Sequence, residues 1–201
     1  MTTLLQIKAS ISHDQGSSSL LANNFVAAYR KAHPDAKVLV REVASAEPVP
    51  HLNGERFSAF ITKHEERTEA QHAVIAYSDA LIDELKRADI VVIGLPMYNF
   101  GVPSQLKAYF DHIARAGVTF KYTATGPAGL LTGKKVYVFA ARGGLYAGSP
   151  LDTQTGYVRD FLAFLGMRDV QFVYAEGLAV SPESREAGLA KAAAEIAALA
   201  A

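Results

Sequence analysis

The sequence predicts an α/β fold, a doubly wound parallel sheet of five strands with helices on both faces. Two observations lead there. Short apolar runs rich in β-branched and aromatic residues recur five times along the chain, as buried strands do. Helical patterns fill the intervals between them, and strict strand-helix alternation implies a parallel sheet covered on both sides. Nothing approaches the roughly 18 apolar residues of a membrane span.

The expected strands are Leu4 to Ile7, Val38 to Val40, Ile90 to Leu95, Val136 to Ala140 and Val170 to Tyr174. The first helix, Ser19 to Lys31, gathers Leu20, Leu21, Phe25 and Ala28 on one face. An excursion over about 44–88 is too long for a plain loop of roughly 12 to 15 residues, so helices are expected at Gly54 to Thr62 and Glu69 to Lys86. In the second of these, Ala73, Ala76, Tyr77, Ala80, Leu81 and Leu85 line one face. Further helices are expected at Pro103 to Ala114 and Leu151 to Leu165. The last, Pro182 to Ala201, is Ala-rich, with Ser181 as its cap and Leu189, Ala193, Ile196 and Ala200 at helical spacing; it reads as a packed helix. Pro103 and Pro182 stand where a first helical residue would be. The 201 residues make one domain.

Charge excludes several classes of partner. Lys+Arg and Asp+Glu are balanced at 20 each, so no strong field draws nucleic acid or an anionic membrane. The chain has no cysteine, which removes disulfides, thiolate metal sites and thiol nucleophiles and suits a reducing compartment. The start, "MTTLLQIKAS", has neither a basic leader nor a long apolar stretch, and a cytoplasmic protein is expected. The six histidines are scattered, so no metal site is expected. No G-x-G-x-x-G follows the first strand, "GLLTGKK" from Gly129 is one residue short of a phosphate loop and precedes a strand, and no G-x-S-x-G elbow exists.

Open α/β sheets bind ligands beyond the carboxyl ends of their strands, and three such ends stand out. In "KASISHDQGSSSLL" a hydroxyl-rich loop runs into a helix start, where backbone N–H groups with Ser10, Ser17 and Ser18 can hold a phosphate without Lys or Arg. An ordinary serine cap explains it equally. In "LPMYNFGVPS" the aromatic residues either cap the core or wall a flat aromatic cofactor, with Asn99 and loop amides serving its polar edge. In "AARGGLYAG" the glycine pair either admits close backbone approach, with Arg142 adding positive potential near the pyrimidine side of a flavin, or is a plain glycine turn with a solvated arginine, the better reading for this stretch alone. Together the three loops describe a mononucleotide site with an aromatic head.

"PMYNF", the "GVTFKYT" to "GKK" block, "RGG" and "FLGM" occur in that order. With them the chain resembles the bacterial FMN-dependent azoreductases, which are also NAD(P)H:quinone oxidoreductases. The resemblance implies a flavodoxin-like fold with strand order 2-1-3-4-5, and a homodimer with one FMN per subunit at the interface. Ser10, Gly16, Ser17 and Ser18 would hold the FMN phosphate; Met97, Tyr98, Asn99 and Phe100 would line the ring. Arg142, Gly143 and Gly144 would meet its pyrimidine edge. Ala141, where the family often has Ser, would join the cofactor residues through its backbone alone, and Tyr146 stands where some relatives have His. Phe120, Tyr122, Tyr146 and Phe161 would border the substrate, Phe161 reaching across to the partner subunit. The implied chemistry is hydride transfer from NADH or NADPH to flavin N5, then reduction of a quinone or azo compound on the same face. The main rival is a flavodoxin-type electron carrier without its own substrate; carriers tend to be acidic, and this chain is neutral. A binding module that has lost its cofactor is the other.

Overall fold

The computed structural model describes residues 1–200. In chain order its elements are β1 (Thr3–Lys8), α1 (Ser17–Ala32), β2 (Lys37–Glu42), α2 (Gly54–Ile61), α3 (Glu69–Arg87), β3 (Ile90–Pro96) and α4 (Ser104–Ile113). Then follow β4 (Phe120–Thr123), β5 (Gly126–Gly129), β6 (Lys135–Ala141), α5 (Thr155–Phe164), β7 (Asp169–Ala175) and α6 (Pro182–Leu199). The main sheet runs β2-β1-β3-β6-β7, all parallel. Counted by sheet strands alone this is the 2-1-3-4-5 order, and the order reverses between β1 and β3, which opens a crevice beyond their carboxyl ends.

Alternating side chains of the central strands feed two separate cores. On one face Leu5, Ile7, Val91, Ile93, Val136 and Val138 pack with residues of α3, α4 and α5. On the other, Leu4, Val92, Tyr137 and Phe139 meet α1 and α6, with the Phe25 ring 4.6 Å from Tyr137 and 5.2 Å from Phe139. Each such fully buried side chain contributes about 1.5–3 kcal/mol before entropy is charged. Gly94, in the middle of this packing, lets α1 sit low on the sheet: a Cβ there would lie 3.1 Å from the Ser18 carbonyl oxygen.

Several expectations need correction. Only β1, β3 and β6 are buried along their length; β2 and β7 are the two edges and are half-exposed, because an edge strand has neighbours on one side only. The buried face of α3 is Ile75, Ser78, Leu81, Ile82 and Leu85; Ala73, Ala76 and Ala80 are exposed. In α6 it is Ala192, not Ala193, that lies with Ile196 and Ala200 in the core. Pro103 caps α4 from outside, whereas Pro182 is inside the first turn of α6, with Ser181 Oγ accepting from Ser184 N at 3.1 Å. The expected final residue of α6, Ala201, lies outside the described residues. No helix among the described residues is long and apolar enough to cross a membrane.

The excursion is anchored where it crosses α4. His112, with no exposed surface, hydrogen-bonds through Nε2 to the Pro50 carbonyl at 2.9 Å and meets the Tyr77 and Phe60 rings edge-on. Burial pushes its pKa down, against the upward pull of the Pro50 bond. α3 opens with a capping box, Thr68 Oγ accepting from Gln71 N while the Gln71 side chain accepts from Thr68 N.

Candidate functional site

At the switch point the loops after β1, β3 and β6 converge on a cleft of about 190 Å³. Ser10, Gly16, Ser17 and Ser18 line it from the first loop, Met97 and Tyr98 from the second, and Ala141, Arg142 and Gly143 from the third. Nine of the twelve cofactor residues expected from the sequence thus surround one space, and Asn99, Phe100 and Gly144 sit on its margin.

The α1 end is built for an anion. The first helical bond runs from Leu20 N to Gly16 O at 2.9 Å, which leaves the N–H groups of Ser17, Ser18 and Ser19 outside the ladder. The Ser18 hydroxyl is buried and has no hydrogen-bond partner among the described residues. An orphaned buried hydroxyl beside three free N–H groups at the positive end of a 16-residue helix fits a phosphate. Gly16 is needed for close approach, since a Cβ there would come within 2.1 Å of Ser10 Oγ. The loop itself carries no Lys or Arg beyond Lys8, but a cation reaches it from elsewhere in the chain. Arg185, from the first turn of α6, brings its guanidinium to 3.5 Å from Ser17 Oγ, 168 residues away in sequence.

The aromatic turn after β3 is strained. Asn99 and Phe100 have φ of 50° and 63°, both central residues positive as in a type I′ turn, a conformation in which Gly is favoured. The cost is of order 1–3 kcal/mol per residue. The turn is closed by Tyr98 N to Gly101 O at 3.1 Å and Gly101 N to Tyr98 O at 2.9 Å. It leaves Asn99 and Phe100 projecting, with Phe100 49% exposed. Tyr98 does more than pack: its hydroxyl is 3.3 Å from Ser10 Oγ and accepts from Ile11 N at 3.2 Å, tying the first loop to the second. Tyr146 reaches the same margin, its ring 5.6 Å from Phe100 and edge-on to it.

Arg142 departs from expectation. Its guanidinium is fully buried and turned away from the rim, donating to Asp152 at 2.8 Å, Thr155 Oγ1 at 3.0 Å and Glu176 at 3.2 Å, with the Tyr174 ring beneath. A charge paired with two carboxylates and shut off from solvent is largely neutralised before it reaches a ligand's edge, although Arg142 lines the cleft. Burial opposes the Asp152 carboxylate, but hydrogen bonds from Arg142 and Thr155 outweigh it and hold its pKa down to about 2. Glu176 Oε1 also accepts from Tyr146 N and Ala147 N, both at 2.8 Å, so the glycine turn is laced to β7. Asp152 and Glu176 escaped the sequence reading because nothing local marks an acid as an arginine's buried partner. Ala141 offers no hydroxyl, and its carbonyl is occupied by Met97 N at 3.1 Å.

Three expected substrate residues are elsewhere in the same chain. Phe120 is buried, 4.4 Å from the Phe164 ring, and Tyr122 beside it is 76% exposed. Their hairpin lies at the amino-terminal ends of β6 and β7, because α4 carries the chain about 15 Å down the sheet before it. Phe161 stacks on Phe110 at 4.3 Å between α5 and α4. A larger cavity of about 550 Å³ opens between α2 and α3, but the polar side chain of Gln71 in its wall is committed to Thr68, Ser58 and Thr62.

The family model described as a flavodoxin-like fold matches residues 2–200. An FMN-dependent NADH:quinone oxidoreductase of Cellvibrio japonicus is 55% identical over 191 residues, covering 95% of this chain and 96% of its own. FMN-dependent NADH:quinone oxidoreductase 6 of Burkholderia lata is 54% identical, covering 98% and 100%. Among solved structures, an azoreductase from Bacillus anthracis superposes with a TM-score of 0.90 at 31% identity, over 100% of this chain and 99% of that one. An FMN-dependent NADH-azoreductase of the same species, in complex with FMN, gives 0.87 at 29%, covering all of both chains. By fold, cleft and sequence, the chain belongs to the flavodoxin-like family, in the branch of the FMN-dependent NADH:quinone oxidoreductases and azoreductases.

Proposed function

We propose that the whole chain is one FMN-binding domain of a cytoplasmic oxidoreductase. It uses NADH or NADPH to reduce quinones to hydroquinones by two electrons and to cleave aromatic azo compounds to amines. The observation that carries this reading is the joining, in one cleft, of a helix start with an orphaned Ser18 hydroxyl, an aromatic turn and a glycine turn. Bound FMN would supply the hydride-accepting and hydride-donating centre. The chain's own residues do the rest. Ser10, Ser17, Ser18 and the N–H groups of α1 hold the phosphate, Met97, Tyr98 and Phe100 pack the ring, and Asn99 and the backbone at Ala141 to Gly144 serve its polar edge. The nicotinamide and the acceptor then use the same open face in turn, a ping-pong order, with Tyr146 at its border. Azo cleavage needs two such rounds.

A homodimer with the site at the interface is part of the proposal. The cleft's 190 Å³ falls below the roughly 300 Å³ at which ligand pockets begin, so one chain leaves the ring uncovered. Exposed Phe57 and Ile61 on α2 and the exposed Ala73, Ala76 and Ala80 on α3 offer an apolar surface for a second copy. Phe120, Tyr122 and Phe161 would then border the substrate from the partner's side.

The test is direct. The protein is loaded with FMN and mixed anaerobically with NADH or NADPH, and flavin absorbance near its visible maximum is followed. Bleaching by a nicotinamide and recovery on adding a quinone are expected. If neither nucleotide bleaches the band, the enzyme reading is wrong; bleaching without recovery by any quinone leaves the electron carrier.

A further inference from the structure

We propose that the segment Asp152 to Thr155, at the start of α5, is a yoke that sets the spacing of the two rim turns, with Gln154 as the positioning residue of the aromatic one. The inference rests on the reading that the cleft takes FMN. Gln154 is fully buried, and its backbone carbonyl accepts from Val158 N at 2.9 Å, which fixes it to α5. Its side-chain amide nitrogen spends both protons on the turn, one on the Pro96 carbonyl at 2.9 Å and one on the Gly101 carbonyl at 2.8 Å. Those carbonyls are the two feet of the turn. Between them the Phe100 carbonyl accepts from Thr153 Oγ1.

The neighbouring residues face the other turn. Asp152 holds Arg142, whose backbone N and O are bonded to Ala175 and Leu178, and Thr155 Oγ1 joins Arg142 and lies 2.9 Å from the Tyr174 hydroxyl. Four consecutive residues therefore grip both walls of the cleft. Two adjacent residues at positive φ stay there only where the surroundings over-determine the backbone, and Gln154 supplies the buried part of that restraint. A flat ring between two walls demands placement within about 0.5 Å, which a shared brace provides and two independent loops do not.

The test measures dissociation constants of FMN and riboflavin for the wild type and Gln154→Met, which keeps the volume and removes both donors. The two flavins differ by the phosphate alone, so their ratio reads the α1 end and their common change reads the ring. Expected is a loss of about ten- to a hundredfold for both, as two buried hydrogen bonds would give, with the ratio within twofold and an altered visible spectrum of the bound flavin. Unchanged riboflavin affinity, or a loss that falls on the ratio, overturns the inference and leaves the cofactor reading intact. A wild type that binds no FMN overturns that reading and the inference with it. Should Gln154→Met fail to fold, the exposed Thr153→Val decides: a loss of about threefold, shared by both flavins, supports the yoke, and no loss overturns it.

Discussion

Replacing Asp152 by Asn tests the buried charge cluster that braces the glycine turn. In the folded chain the carboxyl is held at about 2 against an ordinary 3.8, and its side chain is only 8% exposed. At about 1.4 kcal/mol per unit this is worth roughly 2 kcal/mol. The folded pKa is the depressed one, so the stabilisation is complete above about pH 4 and is lost as pH falls towards 2. Asn keeps an acceptor for Arg142 and Thr155 but leaves the guanidinium with Glu176 as its one anionic partner, so the neutral-pH cost should be about 2–4 kcal/mol. For a chain of this length that is about 5–15 °C in Tm. Urea unfolding of wild type and variant from pH 7 to 2 is the assay. The gap between the two curves should narrow below pH 4, since protonation then removes from the wild type what the mutation removes at every pH. A gap that is absent, or constant down to pH 2, refutes the assignment of the depressed pKa to this pair.

Three further outcomes follow from the same geometry. Phe100→Gly relieves a left-handed residue, so apo stability should hold or rise by up to about 1 kcal/mol while FMN affinity falls; a stability loss above about 2 kcal/mol in chemical denaturation would contradict the strain. Arg185→Met should weaken FMN a few-fold at low salt and less at high salt, with riboflavin untouched, because the contact is exposed and screened; titration at two ionic strengths checks it. His112 carries a pKa lowered by burial, so the fold prefers it neutral, and stability falls as pH drops below the ordinary value near 6.5. His112→Gln should flatten that part of the pH-stability curve relative to wild type, and a curve of unchanged slope would count against it.

Much of this was legible in the sequence because the informative residues are local to strand ends. A serine-rich helix start, an aromatic exit and a glycine pair each carry their meaning within a few residues, and parallel topology puts them on one rim. What escaped depends on partners far along the chain. The direction of Arg142 is decided by Asp152 and Glu176, ten and 34 positions away, and Arg185 arrives from the last helix. The face of α3 is ambiguous in the sequence because alanines fit either side of a helix, and the spacing of Ala73, Ala76 and Ala80 competes with that of Ile75 and Ile82. Phe120 and Tyr122 carry the family's pattern, yet within one chain α4 takes them to the opposite rim.

Gly94 has a consequence for how this site can vary. The amino-terminal end of α1 rests on β3 at Gly94 with no side chain between them, so its height is set by a fully buried central strand. The segment from Ile11 to Gln15 is exposed, yet it is tied down: Ile11 N donates to the Tyr98 hydroxyl, His13 bonds Glu42 and Asp14 pairs with Lys8. At Ile11 the bond comes from the backbone N–H, which any residue but proline supplies, so that exposed side chain is open to change, whereas one methyl group at residue 94 would press on the Ser18 carbonyl and move the start of α1 by a few tenths of an ångström.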